Sequence, residues 1–494
     1  MTRRQHLFIA ASSLCAIVLN LPAREAAAQT ADRAPAETGM TFSGSLRTRA
    51  YAWNWFGDDP GGDYFYPAAI GRVALRHSKT KLDWQVELAF PVVLHLPGDA
   101  VLPVPKGQLG LGASYFAANG NSTDNASLFL KQAYVRLKRQ GAGGAHALTI
   151  GRLEFTDGVE AMPSDSTLAA LKRDRIGQRL IGNFGFTDVG RSVDGAEYTF
   201  AAKRTNLTLL GGRPTQGVFD VSGWPELSVN VFYGALTHQA GTERAPAEWR
   251  IFGLGYDDYR HLTDKADNRP AAARTADTGS IAIATIGGHY VQVVDTSGGP
   301  IDFLLWSAVQ TGAWGALTHR AGAFASEVGW QPRAAERLGL WIRGGYQYGS
   351  GDASPTDERH GTFFQVLPTP RLYARLPFFN MMNDGDAFAE VIVKPAPRVI
   401  VRSDVHSLAL ADAHDLWYTG GGAFQAATFG YAGRPANGAT ALATLSDAGV
   451  DWSVNAHLAV AGYYGYAHGG PVPEAIYSTH NAAHLGYAEM LVRF

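Results

Sequence analysis

Along most of this chain, polar and apolar residues alternate with a period of two. In FLKQAYVRLKR, which starts at Phe129, Ala133, Val135 and Leu137 fall on one face, and Gln132, Tyr134, Arg136 and Lys138 fall on the other. Successive side chains of a strand leave on opposite sides, so this is a strand with one wet and one dry face. A turn with Gly141, Gly143 and Gly144 follows, then HALTIGRLEF, a second strand in which Arg152 and Glu154 share a face. A long segment holding the basic knot LKRDRIGQR leads to a third strand, GAEYTFAAK, where Glu197 and Thr199 oppose Tyr198 and Phe200. The unit is strand, tight turn, strand, long loop.

The same unit recurs from Thr41 onward. Ser43, Ser45, Arg47, Arg49, Tyr51 and Trp53 oppose Phe42, Leu46, Ala50 and Ala52. Arg72 and Arg76 oppose Val73 and Leu75, and Asp83, Gln85 and Glu87 oppose Trp84, Val86, Leu88 and Phe90. A large soluble β protein and a transmembrane barrel both fit such alternation. The connections separate them. Short ones fall at 78–81, 140–146, Arg204, 238–247, 295–299, 331–337, 394–398 and Asn455-Ala456. Longer ones fall at 96–127, 156–194, 214–225, 259–279, 349–385, 411–448 and 469–482, with a tight exception at Trp314–Ala316. Eight hairpins plus a first strand at 41–55 and a last at 483–494 give eighteen strands. Short turns on one side and long loops on the other predict an all-β fold, a single transmembrane antiparallel barrel of about 18 strands with short periplasmic turns and long extracellular loops.

Composition and the first residues agree. Glycine is abundant (57) and only 17% of residues are charged. Arg3 and Arg4, an apolar run from Leu7 to Leu21 and Ala26-Ala27-Ala28 read as a cleaved signal, residues 1–28, with a short periplasmic leader at 29–40 and one barrel domain at 41–494. Cleavage would remove the only cysteine, Cys15, and thiol, haem-thiolate and cysteine–metal chemistry with it. It would also take three arginines and one glutamate, moving the net charge from −2 to −4. That charge, and the lack of a recognisable module, argue against a nucleic-acid partner. No HExxH or nucleophile-elbow pattern points to catalysis, and no cofactor is expected. Asp352, Asp357 and Glu358 could hold calcium through oxygen ligands, but a hydrophilic loop is the preferred reading.

LKRDRIGQRLIGNFGFTDVGRSVDGAEYTF (171–200), YGSGDASPTDERHGTFFQVLPTPRLYARLPFFNMMN (348–383) and LWYTGGGAF (416–424) resemble the alginate-export family of outer-membrane barrels. The resemblance implies an eighteen-stranded monomer in the outer membrane of a Gram-negative-type bacterium. Its basic lumen would pass an anionic polysaccharide or oligosaccharide out of the periplasm. One departure is the mixed lumen face, where Asp83, Glu87, Glu154, Glu197, Glu327, Glu390, Asp404 and Glu489 accompany the arginines. The final strand, HLGYAEMLVRF, carries Ala488, Met490, Val492 and Phe494 on one face. This looks like the signature read by the barrel-assembly machinery.

Candidate pore residues come in two sets. The loop set is Lys172, Arg173, Arg175 and Arg179, with Arg191 further on; folded into a narrow passage, they would concentrate anions there. Alternatively the loop points outward and pairs with lipid phosphates or with Asp165, Asp174 and Asp188. The wall set is Arg47, Arg49, Arg72, Arg76, Arg136, Arg152, Arg343 and Arg402. Facing lipid near the midplane each would cost about 2–4 kcal/mol, so all are expected to face inward, either touching substrate or bracing the wall. The function expected is a passive channel for an alginate-like polyuronate. The alternatives are a porin-like uptake channel for small anionic nutrients and a barrel-embedded hydrolase.

Overall fold

The computed structural model describes residues 39–494 except 263, 370–373 and 478–480. The expected signal and most of the leader lie outside the described residues. Residues 39 and 40, assigned to the leader, already belong to the first strand.

Eighteen long strands make the wall. They are β1 (Gly39–Asn54), β2 (Asp63–Ser78), β3 (Leu82–Val93), β4 (Phe129–Gly141), β5 (Gly144–Leu153), β6 (Val193–Ala201), β7 (Thr205–Pro214), β8 (Val229–Thr242) and β9 (Ala245–Asp258). Then come β10 (Ile281–Val294), β11 (Ile301–Trp314), β12 (Leu317–Trp330), β13 (Trp341–Gly349), β14 (Asp384–Ala396), β15 (Val399–Ala409), β16 (Ala441–Ser453), β17 (Leu458–Gly469) and β18 (Ala482–Arg493). Each pairs antiparallel with its neighbours in sequence, and β1 closes on β18 from Ser45↔Arg493 to Asn54↔His484. Closure leaves no edge strand with unpaired backbone groups, which a bilayer requires.

The predicted hairpins are all present. Phe42, Val86, Leu88, Phe90, Val135 and Ile150 are exposed on the outer wall, while Tyr51, Trp53, Asp83, Gln85 and Glu87 are buried on the inner one. Two strands begin earlier than their patterns suggested. β2 starts at Asp63, and β16 starts at Ala441, inside the segment taken as loop 411–448. A bulge in β4 skips Lys131, because Glu87 pairs with Gln132 while Leu88 pairs with Leu130. It turns the Lys131 ammonium into the interior, 3.3 Å from Glu154.

The extracellular half of the lumen is filled by the chain's own loops. Ile181 and Leu367 form a parallel bridge between loops 154–192 and 350–383. Leu416–Gly420 and Tyr431–Pro435 form a separate hairpin within the loop after β15. Trp55 stacks on Trp417 at 6.3 Å, and Phe56 meets Phe378 edge-on at 5.6 Å, so aromatic packing ties the loops to one another.

At the closing seam Phe494 exchanges backbone hydrogen bonds with Gly44, 2.8 and 3.0 Å long. Its ring occupies the space that a Cβ on Gly44 would enter, at 2.3 Å. Deleting Phe494, or replacing Gly44 with leucine, is therefore expected to lower the amount of barrel in the outer membrane. Refolded protein should keep its sheet spectrum and heat-modifiable mobility. Undiminished surface levels for both variants would show that this seat is not used in assembly.

Candidate functional site

Loop 154–192 enters the barrel and brings most of the basic knot against the wall. The Asp165 carboxylate caps a short helix, Ser166–Leu171, accepting from the Leu168 backbone N–H at 2.8 Å. Leu168 and Leu171 are buried, which anchors the helix, and it runs into a single π turn, Lys172–Ile176. The turn distributes the cations in different directions.

Lys172 is buried against Glu248 on β9, 2.6 Å away, and Glu248 also meets His289 Nε2 at 3.0 Å. Burial lowers the Lys172 pKa, opposed by Glu248. Arg175 and Arg179 both reach Glu327 on β12, at 2.9 and 3.3 Å. Burial works against the Arg175 charge, but Glu327 with Glu390 and Asp404 together outweigh it and hold the guanidinium more firmly protonated than usual. Glu327 also accepts from Arg343 at 2.9 Å, and Arg343 pairs in turn with Asp302. Phe388 and Trp306 lie under the Arg175 and Arg179 guanidiniums, 4.4 and 5.1 Å from their centroids. Three arginines thus converge on one buried carboxylate.

Arg173 and Asp174 turn toward the passage. Arg173 pairs with Asp174 at 2.9 Å, and Asp174 meets Arg402 of β15 at 3.1 Å. Burial alone would raise the Asp174 carboxyl, yet Arg402 and Arg173 bring it below the usual range. Further round the wall, Arg47 binds Asp188 at 3.3 Å and the carbonyls of Gly185 and Thr187. Arg49 binds Glu489 at 2.5 Å and the Phe186 carbonyl. The basic loop therefore lies inward rather than outward; of its cluster Arg173 pairs with an acid of the loop, Asp174, and Asp188 is taken up by Arg47 of the wall. Asp165 serves the helix cap instead.

Arg191 pairs with carbonyls rather than a carboxylate. It donates to Gly182 (3.1 Å), Leu367 (2.7 Å), Gly421 (2.9 Å) and Ala423 (3.3 Å), linking loops that follow β5, β13 and β15. Burial pulls its pKa down to about 10, with Tyr431 and Tyr256 opposing, so it stays charged at neutral pH. The Gly420–Gly422 run makes this approach possible. A Cβ on Gly421 would sit 2.2 Å from the Phe184 ring, and Gly422, at φ +81°, lies against the Val366 carbonyl.

Two wall arginines of neighbouring strands lie on opposite faces. Arg136 stands on the lumen face, in register between Asp83 of β3 and Thr149 of β5. Arg152, expected in the lumen, is on the outer face. It pairs across the sheet with Ala133 and Asp194, on the side of Val135 and Ile150. Near the extracellular end it binds Asp194 at 2.6 Å and lies over Trp224, 5.3 Å from the ring centroid, where an ion pair at the membrane rim is tolerable.

Cations missed in the sequence also reach the lumen. Arg375 binds the Tyr487 hydroxyl at 2.9 Å and Asp451 at 3.2 Å; it lies in a loop, where no periodicity assigns a face. Arg250 binds Glu160 at 2.8 Å. Of the acids weighed for calcium, Asp352 is buried and accepts from the Ser354 backbone, and Asp357 accepts from the Arg359 backbone. Among the described residues no group of three or more His, Cys, Asp or Glu side chains is placed to hold a metal ion.

A closed eighteen-stranded antiparallel barrel, apolar outside and ionic inside, defines an outer-membrane channel of the porin-like class. Solved structures share the fold. The Pseudomonas aeruginosa outer membrane protein OpdK aligns over 92% of this chain and 99% of its own, at TM-score 0.51 and 8% identity. Acinetobacter baumannii OccAB4 aligns over 92% and 99%, at TM-score 0.54 and 10% identity. OpdK has also been solved with vanillate, and that structure aligns over 92% and 98%, at TM-score 0.53 and 8% identity. No curated protein matches this chain. The alginate export family model matches residues 104–472, and the chain belongs to that family.

Proposed function

We propose that this outer-membrane channel passively conducts an anionic, alginate-like polyuronate out of the periplasm, as a monomer inserted by the barrel-assembly machinery. The observation that carries the reading is the orientation of the ion pairs in the lumen. In most of them the cation is the wetter partner: Arg173 is 43% and Arg402 26% exposed, against 20% for their shared Asp174. Arg72 is 30% exposed against 7% for Glu87, and Lys138 31% against 8% for Asp83. Three pairs are reversed: Arg375 with Asp451 at 27% and 39%, Arg49 with Glu489 at 6% and 17%, and Lys131 with Glu154 at 2% and 18%. A solute in the passage would therefore meet guanidinium and ammonium groups with the carboxylates behind them. Arginine forks suit carboxylates, and local charge acts within about a Debye length (~8 Å at physiological salt), so a net acidic chain can still favour anions.

The loops that narrow the extracellular half favour a second reading, a porin-like uptake channel for small carboxylates, and vanillate bound to a protein of the same fold is consistent with it. Planar-bilayer recordings test both. With Arg173→Gln and Arg402→Gln together, anion preference and current block by polyuronate should fall, and the difference from the parent should shrink at 1 M salt, where the Debye length is about 3 Å. Unchanged selectivity and block would remove these arginines from the filter. Block of the parent by small carboxylates but not by polyuronate would favour uptake.

A further inference from the structure

Above the ionic throat lies a cavity of about 310 Å³ of a different chemistry. Its lining comes from the connections after β1, β3, β5, β7, β9, β13 and β15, so it sits where the loops converge over the lumen. Trp55, Phe219, Phe424 and Tyr431 line it, with Gln108, whose Oε1 accepts from Ser114, and Gln425, whose amide nitrogen donates to the Ala118 carbonyl and Asp220 and leaves its own oxygen for a ligand. Among the described residues that line it none is lysine or arginine, and Asp264, its one acid, is 83% exposed.

The arginines near this mouth are committed to its frame. Arg434 donates to the carbonyls of Lys106 and Gln108 and to the Thr419 and Tyr477 hydroxyls. Arg260 donates to Asp258 and to the carbonyls of Gln425 and Thr428. The frame also holds the rings in place: the Tyr431 hydroxyl donates to the Gln365 carbonyl, and Phe219 packs edge-on against Phe424 at 5.5 Å. The result is a fixed cup in which six aromatic residues stand among small and neutral polar ones, with no lysine or arginine among the described residues of the lining to face an anion. Its volume is at the small end of ligand pockets (~300–1,000 Å³).

We infer that this vestibule is a pyranose subsite, binding the C–H face and hydroxyls of a sugar ring rather than its carboxylate. The inference rests on the polysaccharide reading of the channel. The throat would select charge, and the vestibule would select ring shape, on the same polymer. Aromatic rings bury apolar C–H surface, while the amides exchange hydrogen bonds with hydroxyls, so a ring needs no charge to be held.

Single-channel recordings with full-length protein test this, using cellohexaose as a neutral pyranose oligomer, an oligouronate, and benzoate as a planar aromatic carboxylate. Cellohexaose added on the extracellular side should block the parent. Phe424→Ala should weaken that block about tenfold, the equivalent of one lost ring contact. Phe424→Tyr, which keeps the ring, should retain it. Absence of block by cellohexaose in the parent, block that survives in Phe424→Ala, or block by benzoate alone would overturn the subsite. The two readings fail separately. Cellohexaose block without any effect of oligouronate leaves the vestibule standing and removes the polyuronate channel. Oligouronate block without cellohexaose block does the reverse.

Discussion

Replacing Arg191 with alanine should raise single-channel conductance severalfold while leaving the barrel wall folded. The side chain is buried, bears its charge at neutral pH, and donates to four carbonyls spread over three loops. Hydrogen bonds to a charged partner contribute about 1.5–3 kcal/mol each, so losing even two would shift a closed-loop equilibrium roughly a hundredfold. None of these carbonyls belongs to a wall strand, which is why the sheet should persist. Arg191→Lys should fall between the two, because a compact ammonium cannot span acceptors that a planar guanidinium reaches together. The measurements are conductance, and protease cleavage of loops 350–383 and 410–440 in the refolded protein. Parent-like conductance together with parent-like protection would mean the loops are held without Arg191.

The wall was legible in the sequence because lipid on one side and water or ions on the other impose a two-residue period. The parity of Arg47, Arg49, Arg72 and Arg402 followed from it. Arg152 did not follow, and the reason is local. Alternation placed it on one face with Glu154, expected in the lumen, but β5 ends at Leu153. Beyond that residue the chain leaves the sheet, and Glu154 turns inward to Arg72 and Lys131 on its own course. The start of β16 was hidden for another reason. There Thr444 is exposed on the outer face while Leu445 is buried under the inward loops, which inverts the expected pattern of apolar outside and polar inside.

Partners were less legible than faces. Arg49 and Glu489 are 440 positions apart, and a period-two pattern says which side each is on but not that they meet. Within loop 154–192 the basic knot signalled charge without direction. The π turn after Ser166–Leu171 separates Arg173 from Arg175, so that adjacent arginines do different things. Arg173 is wet and faces the passage; Arg175 is buried and holds the loop. Treating the knot as a single filter would merge a selectivity effect with a docking effect.

Glu327→Gln separates them and should be the most disruptive single change inside the lumen. Glu327 is the carboxylate shared by Arg175, Arg179 and Arg343, at 2.9, 3.3 and 2.9 Å. Breaking a buried ion pair from one side commonly costs about 3–5 kcal/mol, because the remaining charge stays desolvated. Here the loss falls on loop docking rather than on the wall, since Arg343 retains Asp302 while Arg175 and Arg179 lose the carboxylate that seats them on β12. Conductance should become larger and noisier, and loop 154–192 should become cleavable by protease in the refolded barrel. Arg175→Gln with Arg179→Gln should produce the same unlatching, more mildly, because Glu327 then still pairs with Arg343. Arg173→Gln should shift ion selectivity while the current stays quiet and the loop protected. A quiet, protected channel in Glu327→Gln would show that the loop is seated by its apolar contacts, Leu168 and Leu171 first among them, and that the arginine cluster only accompanies them.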